Sequence, residues 1–380
     1  MVKRPLKVLF LATRDWYNPS AAGGDILVWE YARYLASHGH SVTFVASSFP
    51  LASKEEVIDG ITVVRLGGIH TLWLRTFLHY MKKCRGKYDV VVAEGLGGSR
   101  IPRWAPLYIK EPLITEWYQV HKPLFAAQYP AFITPLLNML ERFTALIHRN
   151  TIIQALAEEW RLAFTRLGFR YENIVVIPPS IRDDWLQDGC ADKTQPTLIW
   201  LGKFRRYKCP HHAIIAMKKV VPNIPEAKLI LAGRCEDEKY VKWLRDLIVT
   251  HNLKRNIQFE FNISERVKRQ LLRSSRALVL PSSVEGFGIV ILEANACCTP
   301  VIASSRVPEG AVKHLYNGLR YPFGNIAALA EAILQILKDD ELYNNLSKNS
   351  VTFARRFSWS NVGAKFEQLL YKICDNQPMD

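Results

Sequence analysis

Two doubly wound α/β domains, each a parallel sheet covered by helices, are what this chain predicts, and three observations predict them. A unit of apolar strand, glycine turn, helix and second apolar strand opens the sequence and starts again past its midpoint. Its clearest instance is ALVLPSSVEGFGIVILEANACCTPVIAS, from Ala277 to Ser304. The third observation is length: 380 residues exceed one ordinary core and fit two of similar size.

In that central stretch, Ala277 to Leu280 reads as a buried strand and Glu285-Gly286-Phe287-Gly288 as the turn. Ile289 to Ala296 reads as a helix, which Cys298-Thr299-Pro300 breaks before the next strand. Two glycines at a strand-to-helix junction leave backbone N–H groups bare at a helix N-terminus, a site for a phosphate or a sugar hydroxyl. Glu285 stands in the turn, and Glu293 lies about two turns into an otherwise apolar helix, where an unpaired charge is costly.

The first domain begins with a strand from Val8 to Ala12, a polar loop ending in Gly23-Gly24, a helix from Asp25 to His38 and a strand from Ser41 to Ala46. No G-x-G-x-x-G is present, which excludes the dinucleotide fingerprint; Glu94 to Arg100 does not supply it. Strands follow at Ile61 to Val64, Asp89 to Ala93 and Pro112 to Thr115. Tyr118 and His121 then stand at the carboxyl edge, where open sheets bind ligands. Ala131 to Ile153 reads as a helix and Ile174 to Ile177 as the last strand. The polar run Asp183 to Pro196 reads as an interdomain linker, with the boundary segment at 186–196 between a first domain at 1–185 and a second at 197–356.

The second domain restarts at Thr197 to Leu201, followed at once by Gly202-Lys203-Phe204-Arg205-Arg206-Tyr207-Lys208, a cationic loop suited to a diphosphate. Strands at Lys228 to Ala232 and Ile257 to Phe261 and a serine-capped helix from Ser264 to Arg273 come next. Arg306 to Val312 reads as a turn into a helix, Ala327 to Leu337 as a regular helix and Asn361 to Ile373 as the last.

The string E-G-F-G-x4-E-A-x-A, with P-V-I-A behind it, closely resembles the E-x7-E signature of the retaining glycosyltransferases of family 4. The cationic loop is similar to that family's G-[RK]-x4-K, matched by Gly202, Lys203 and Lys208. The resemblance covers nearly the whole chain and is strongest from Gly202 to Gly310. It implies the GT-B fold, two Rossmann-like domains facing across a cleft, with the helix of 357–380 crossing back to the first. It also implies transfer of a hexosyl group from a UDP- or GDP-sugar to an acceptor, with no metal or other cofactor required.

By resemblance Lys203 and Lys208 neutralise the leaving diphosphate, Glu285 fixes the sugar ring and Glu293 holds the ribose hydroxyls. Gly23, Gly24, Gly202, Arg206, Gly286, Phe287 and Gly288 complete the donor side. Tyr118 stands where the family often has a sugar-contacting histidine, and His121 lies three residues on. Further departures are Pro179-Ser180 in place of N-G, and Asn262 and Cys298 in place of glycines. Two other functions stay open: an epimerase of nucleotide sugars on the same fold, and a basic membrane- or nucleic-acid-binding protein without catalysis.

Composition sets the remaining expectations. Hydrophobic residues at 49% and charged residues at 22% are those of a globular chain. The formal charge of +15 points to polyanionic partners; no nucleic-acid motif accompanies it, so diphosphates and an acidic membrane surface are the partners expected. Leu72 to Lys87, with Arg100, Arg103, Trp104 and Lys110, is amphipathic and basic enough to lie on such a surface. Seven cysteines without a C-x2-C pair predict neither a disulfide framework nor a zinc site. Together with the absence of a signal-like start or an apolar run of about 18 residues, they predict a cytoplasmic protein peripheral to the inner face of the membrane.

Overall fold

The structure, a computed structural model, describes residues 4–94, 104–187, 190 and 193–375. Arg100 and Arg103 lie outside them. The chain divides into two units: residues 1–121, 135–180 and 359–380 form the first, and 122–134 with 181–358 the second.

In the first unit β1 (Lys7–Leu11), β2 (Ser41–Ala46), β3 (Glu55–Ile58), β4 (Ile61–Arg65), β5 (Val90–Glu94), β6 (Leu113–Glu116), β7 (Ile152–Ala155) and β8 (Ile174–Val176) form one sheet. Their order is β3-β4-β2-β1-β5-β6-β7-β8, and only the edge strand β3 runs antiparallel to its neighbour. The apolar runs of β1 and β5 are buried throughout, as central parallel strands require. Because side chains alternate, Phe10 stacks on Phe44 on one face, and Phe44 meets Trp29 of helix α1 (Gly23–Ser37). Leu9, Leu11 and Val91 meet α2 (Leu72–His79), its π-helical extension to Cys84, and α3 (Ala105–Tyr108) on the other.

After α4 (Lys122–Gln128), α5 (Thr134–Ile147) ends well before Ile153, against the expected single helix. His148-Arg149-Asn150 break it, and β-branched Ile152-Ile153 enter the sheet as β7 instead. Helix α6 (Glu158–Leu167) precedes β8.

The second unit carries β9 (Thr197–Leu201), β10 (Lys228–Gly233), β11 (Ile257–Phe261), β12 (Ala277–Leu280), β13 (Val301–Ser304) and β14 (Gly318–Tyr321). They are parallel in the order β11-β10-β9-β12-β13-β14. The order reverses between β9 and β12, which makes the carboxyl ends of those two strands the place where an open sheet of this kind binds ligands. Helices α7 (Pro210–Val220), α8 (Glu238–Thr250), α9 (Glu265–Ser274), α10 (Ile289–Ala296), α11 (Ile326–Lys338) and α12 (Asp340–Arg355) belong to this unit. The last helix, α13 (Trp359–Cys374), packs on α1 of the first unit, where Phe366 stacks on Tyr31 with centroids 4.1 Å apart.

Two further expectations are corrected. Arg306 to Val312 makes a turn and no helix: Ala311 and Val312 N–H groups close back on the Pro308 carbonyl, and Lys313 N–H is taken by Asn317 Oδ1 at 2.7 Å. Cys190 and Cys298, 108 positions apart, form a disulfide that no local spacing signals. Cys84, Cys209, Cys235, Cys297 and Cys374 are free.

Candidate active site

Of the sequence-predicted donor residues of the second unit, the loops leaving β9 and β12 bring Lys208 and Glu285 into direct contact. Gly233, at the end of β10, has φ +145, and a Cβ there would sit 1.8 Å from the Gly202 carbonyl oxygen. That close backbone approach sets the course of the cationic loop as it leaves the sheet. The loop meets the turn after β12 through the Ser283 N–H, which donates to the Tyr207 carbonyl at 2.8 Å.

At this junction Lys208 Nζ donates to Glu285 Oε1 at 2.5 Å, and Ser282 Oγ donates to the same oxygen at 3.1 Å. Glu285 is buried. Burial works against the Lys208 charge, but the neighbouring Glu285 outweighs it and holds the ammonium above its ordinary pKa. Gly288, with φ +93, caps α10, and Phe287 turns into the core against Phe357. Glu293, on the second turn of α10, accepts from Lys268 Nζ at 2.5 Å. Each glutamate of the pattern thus carries one lysine.

Lys203 Nζ lies 2.9 Å from Glu236 Oε1, and Arg205 pairs with the other oxygen of that carboxylate. Burial raises the Glu236 pKa, but Lys203 and Arg205 outweigh it and hold the carboxyl below the usual range. Arg206 lies over the Tyr240 ring, 5.3 Å from its centroid. A loop whose cations are paired with a partly exposed carboxylate can exchange that partner for phosphate oxygens without stranding a charge.

The first unit holds a different chemistry at its own switch point, between β1 and β5. Gly23 and Gly24 open α1, and a Cβ on Gly24 would meet the Tyr118 ring at 2.7 Å. Tyr118 is therefore packed on the glycine turn, its hydroxyl donating to Glu116 Oε2 at 2.7 Å. Glu94 and Glu116 end neighbouring strands in register, both buried, and Glu94 accepts the Thr13 N–H at 2.5 Å. Burial pushes the Glu94 carboxyl up to about 8, with Asp25 adding to the shift; burial alone lifts Glu116 to about 8. His121 is buried, with its backbone N–H and ring Nδ1 each 2.8 Å from Glu141 Oε1.

Residues 181–352 match the family model "Glycosyl transferases group 1", and residues 23–180 match "Glycosyl transferase 4-like domain". An uncharacterized glycosyltransferase of Methanocaldococcus jannaschii is 30% identical over 96% of this chain and 98% of its own. The chain is a family 4 glycosyltransferase. A phosphatidyl-myo-inositol mannosyltransferase of Mycobacterium leprae is 23% identical over 89% of this chain and 90% of its own.

Among solved structures, the sucrose-phosphate synthase of Thermosynechococcus elongatus superposes with a TM-score of 0.81 at 19% identity, covering 98% of this chain and all of the other. Anabaena HepE, in complex with UDP and glucose, gives 0.77 at 18% identity over 97% of this chain and all of its own. Likeness at such identity shows the fold, which is GT-B. As a member of family 4, whose enzymes are retaining, this glycosyltransferase takes sugar from a nucleotide-sugar donor. Sequence reasoning missed Lys268, Glu236, Glu94 and Glu116. The last two carried a signal, a carboxylate closing each of two buried strands, VVVAE and LITE.

Proposed function

We propose that this glycosyltransferase moves a hexosyl group from a UDP-sugar to an acceptor carried at an acidic membrane surface. The observation that carries the donor half is the Lys208–Glu285 pair, poised where the β9 and β12 loops meet. In this reading Lys208 and Lys203 leave their carboxylates to neutralise the departing diphosphate, and the N–H groups at the start of α10 assist. Glu285, released from its lysine, orients the sugar ring, and Glu293 accepts from the ribose hydroxyls. Both act as positioners. The departing phosphate takes the acceptor's proton as the new bond forms on the face the leaving group vacates, so no separate base is assigned. UDP is chosen because the Anabaena structure was solved with it.

The membrane half is supported by the surface of the first unit. Trp73, Leu74, Leu78 and Met81 on α2 and its extension are exposed, as are Leu136, Met139, Phe143 and Leu146 on α5. Tyr108 of α3 contacts Phe77, and Trp104 contacts Phe143, which joins the helices into one apolar face. Exposed Arg75, Lys82, Lys83, Arg85 and Lys87 accompany it. Apolar anchors among basic residues bind anionic bilayers. No helix among the described residues is long and apolar enough to cross a membrane. The mannosyltransferase relative, by its name, acts on a phosphatidylinositol.

Thermal stabilisation and donor hydrolysis against UDP- and GDP-sugars test the first half, with Lys208→Ala and Glu293→Ala beside the wild type. One UDP-sugar should raise the melting temperature in the wild type alone; no response to any donor would overturn the assignment. Flotation with acidic and neutral liposomes tests the second half, and absence from both would sink it.

A further inference from the structure

We propose that Cys209, His211 and His212 form a binding site for a thiophilic divalent ion of the zinc class at the base of the donor loop. One ligand atom from each lies within 4.8 Å of the other two. Zinc bonds of about 2.0–2.3 Å need donors about 3.5 Å apart, which side-chain rotation supplies. The backbone presents the set: Cys209 is left-handed, with φ +49, and Pro210 begins α7 directly behind it, so both histidines fall on the first turn.

Two observations distinguish this set from a chance grouping. His211 Nδ1 lies 2.6 Å from the Tyr240 hydroxyl oxygen; with Nδ1–H donating to it, the ring is fixed and Nε2 is left to ligate, as in metal-bound histidines whose second nitrogen donates a hydrogen bond. His212 Nδ1 is buried and has no hydrogen-bond partner among the described residues. The cysteine sulfur lies 3.3 Å from the Arg206 carbonyl and 3.5 Å from that of Tyr207, inside the cationic loop. One thiolate and two imidazoles select zinc-like ions over magnesium or calcium. Three protein ligands leave a fourth position for water. The sequence hides the site because it lacks the paired-cysteine spacing of structural zinc motifs.

Cys209 follows Lys208 directly, so an ion here pins the loop that meets Glu285. That consequence rests on the donor reading above; metal binding does not. Titration of the full chain with Co²⁺ tests the site. The expected result is a thiolate-to-cobalt charge-transfer band at about one equivalent, displaced by Zn²⁺ and untouched by Mg²⁺. Cys209→Ser should abolish the band, and His212→Gln should weaken cobalt affinity by about tenfold or more. Metal-free melting temperatures report whether each variant folds, and His211→Gln serves in place of one that does not. No band in the wild type, or a band unchanged in Cys209→Ser, overturns the proposal. UDP affinity with and without Zn²⁺ reads the coupling; a band without any UDP binding would keep the metal site and overturn the donor reading.

Discussion

Lys208 Nζ and Glu285 Oε1 stand 2.5 Å apart where the loops leaving β9 and β12 meet, and each side chain depends on the other. Lys208→Ala removes the cation from the proposed diphosphate site and strands Glu285 in a buried position. The expected loss is about 10²–10³-fold in kcat/KM, the range for deleting one preorganised electrostatic contact. Stability should fall by about 1–3 kcal/mol, the cost of leaving a buried acceptor unmade. Glu285→Gln keeps the shape and removes the charge, so in the double variant with Lys208→Ala the stability cost should shrink. Urea denaturation of the four forms measures the coupling, and additive losses would show that the pair is not buried together.

Gly233→Ala tests how the loop is set. Its Cβ would collide with the Gly202 backbone, which no rotamer change relieves, and φ +145 is strained for any L side chain. The expected cost is about 1–3 kcal/mol or more, with a weakened donor site because the clash falls at the start of the cationic loop. Gly310→Ala is the control, since nothing lies within 4 Å of its Cβ position. Equal melting temperatures for the two variants would refute the close approach.

Glu293→Gln separates the two glutamates. Lys268 would keep a hydrogen-bond partner while the acceptor for ribose hydroxyls is weakened. A loss of affinity for UDP itself, with hydrolysis of bound donor little changed, is expected of a residue that holds ribose. An unchanged Kd for UDP would remove Glu293 from that role.

Much of this was legible because it is local. The strand-turn-helix unit at Ala277–Ser304 announces itself through a short apolar run, two glycines and a proline stop, and each feature acts on its own few residues. The same holds for the cationic loop after β9. Partners contributed from a distance were not legible: Lys268 reaches Glu293 from α9, and Cys190 reaches Cys298 across 108 positions. β7 was lost because Ile152-Ile153 continue the apolar character of α5, and only their pairing with β6 and β8, distant in sequence, decides for strand. Tyr118 shows a third kind of limit. Its place at a sheet edge could be read, but not that its hydroxyl is committed to Glu116.

The buried carboxyls of the first unit make stability depend on pH. Glu94 and Glu116 are raised from 4.5 to about 8, so between those values the folded chain holds more protons than the unfolded one. Stability then falls as pH rises: their contribution is complete below 4.5 and is lost as pH climbs through about 8. The urea midpoint should be lower at about pH 9 than at about pH 6. Glu116→Gln cannot ionise and should flatten that decline. A midpoint that rises over the interval, or a variant with the wild-type slope, would contradict the protonated state.

Phe366→Ala addresses the helix that closes the first unit. Phe366 is fully buried on α13 and stacks on Tyr31 of α1, which also meets Trp359 edge-on. Truncating a buried phenylalanine costs about 3–5 kcal/mol, since the cavity adds to the lost transfer energy. Every residue assigned to UDP lies in the second unit except Gly23 and Gly24, whereas Phe366 lies in the first. The melting temperature should therefore drop well below that of the wild type, while calorimetric UDP affinity at low temperature stays within about twofold of it. A large loss of UDP affinity in a chain still folded by circular dichroism would mean that α13 supports the donor residues themselves, and the division of labour between the units would have to be redrawn.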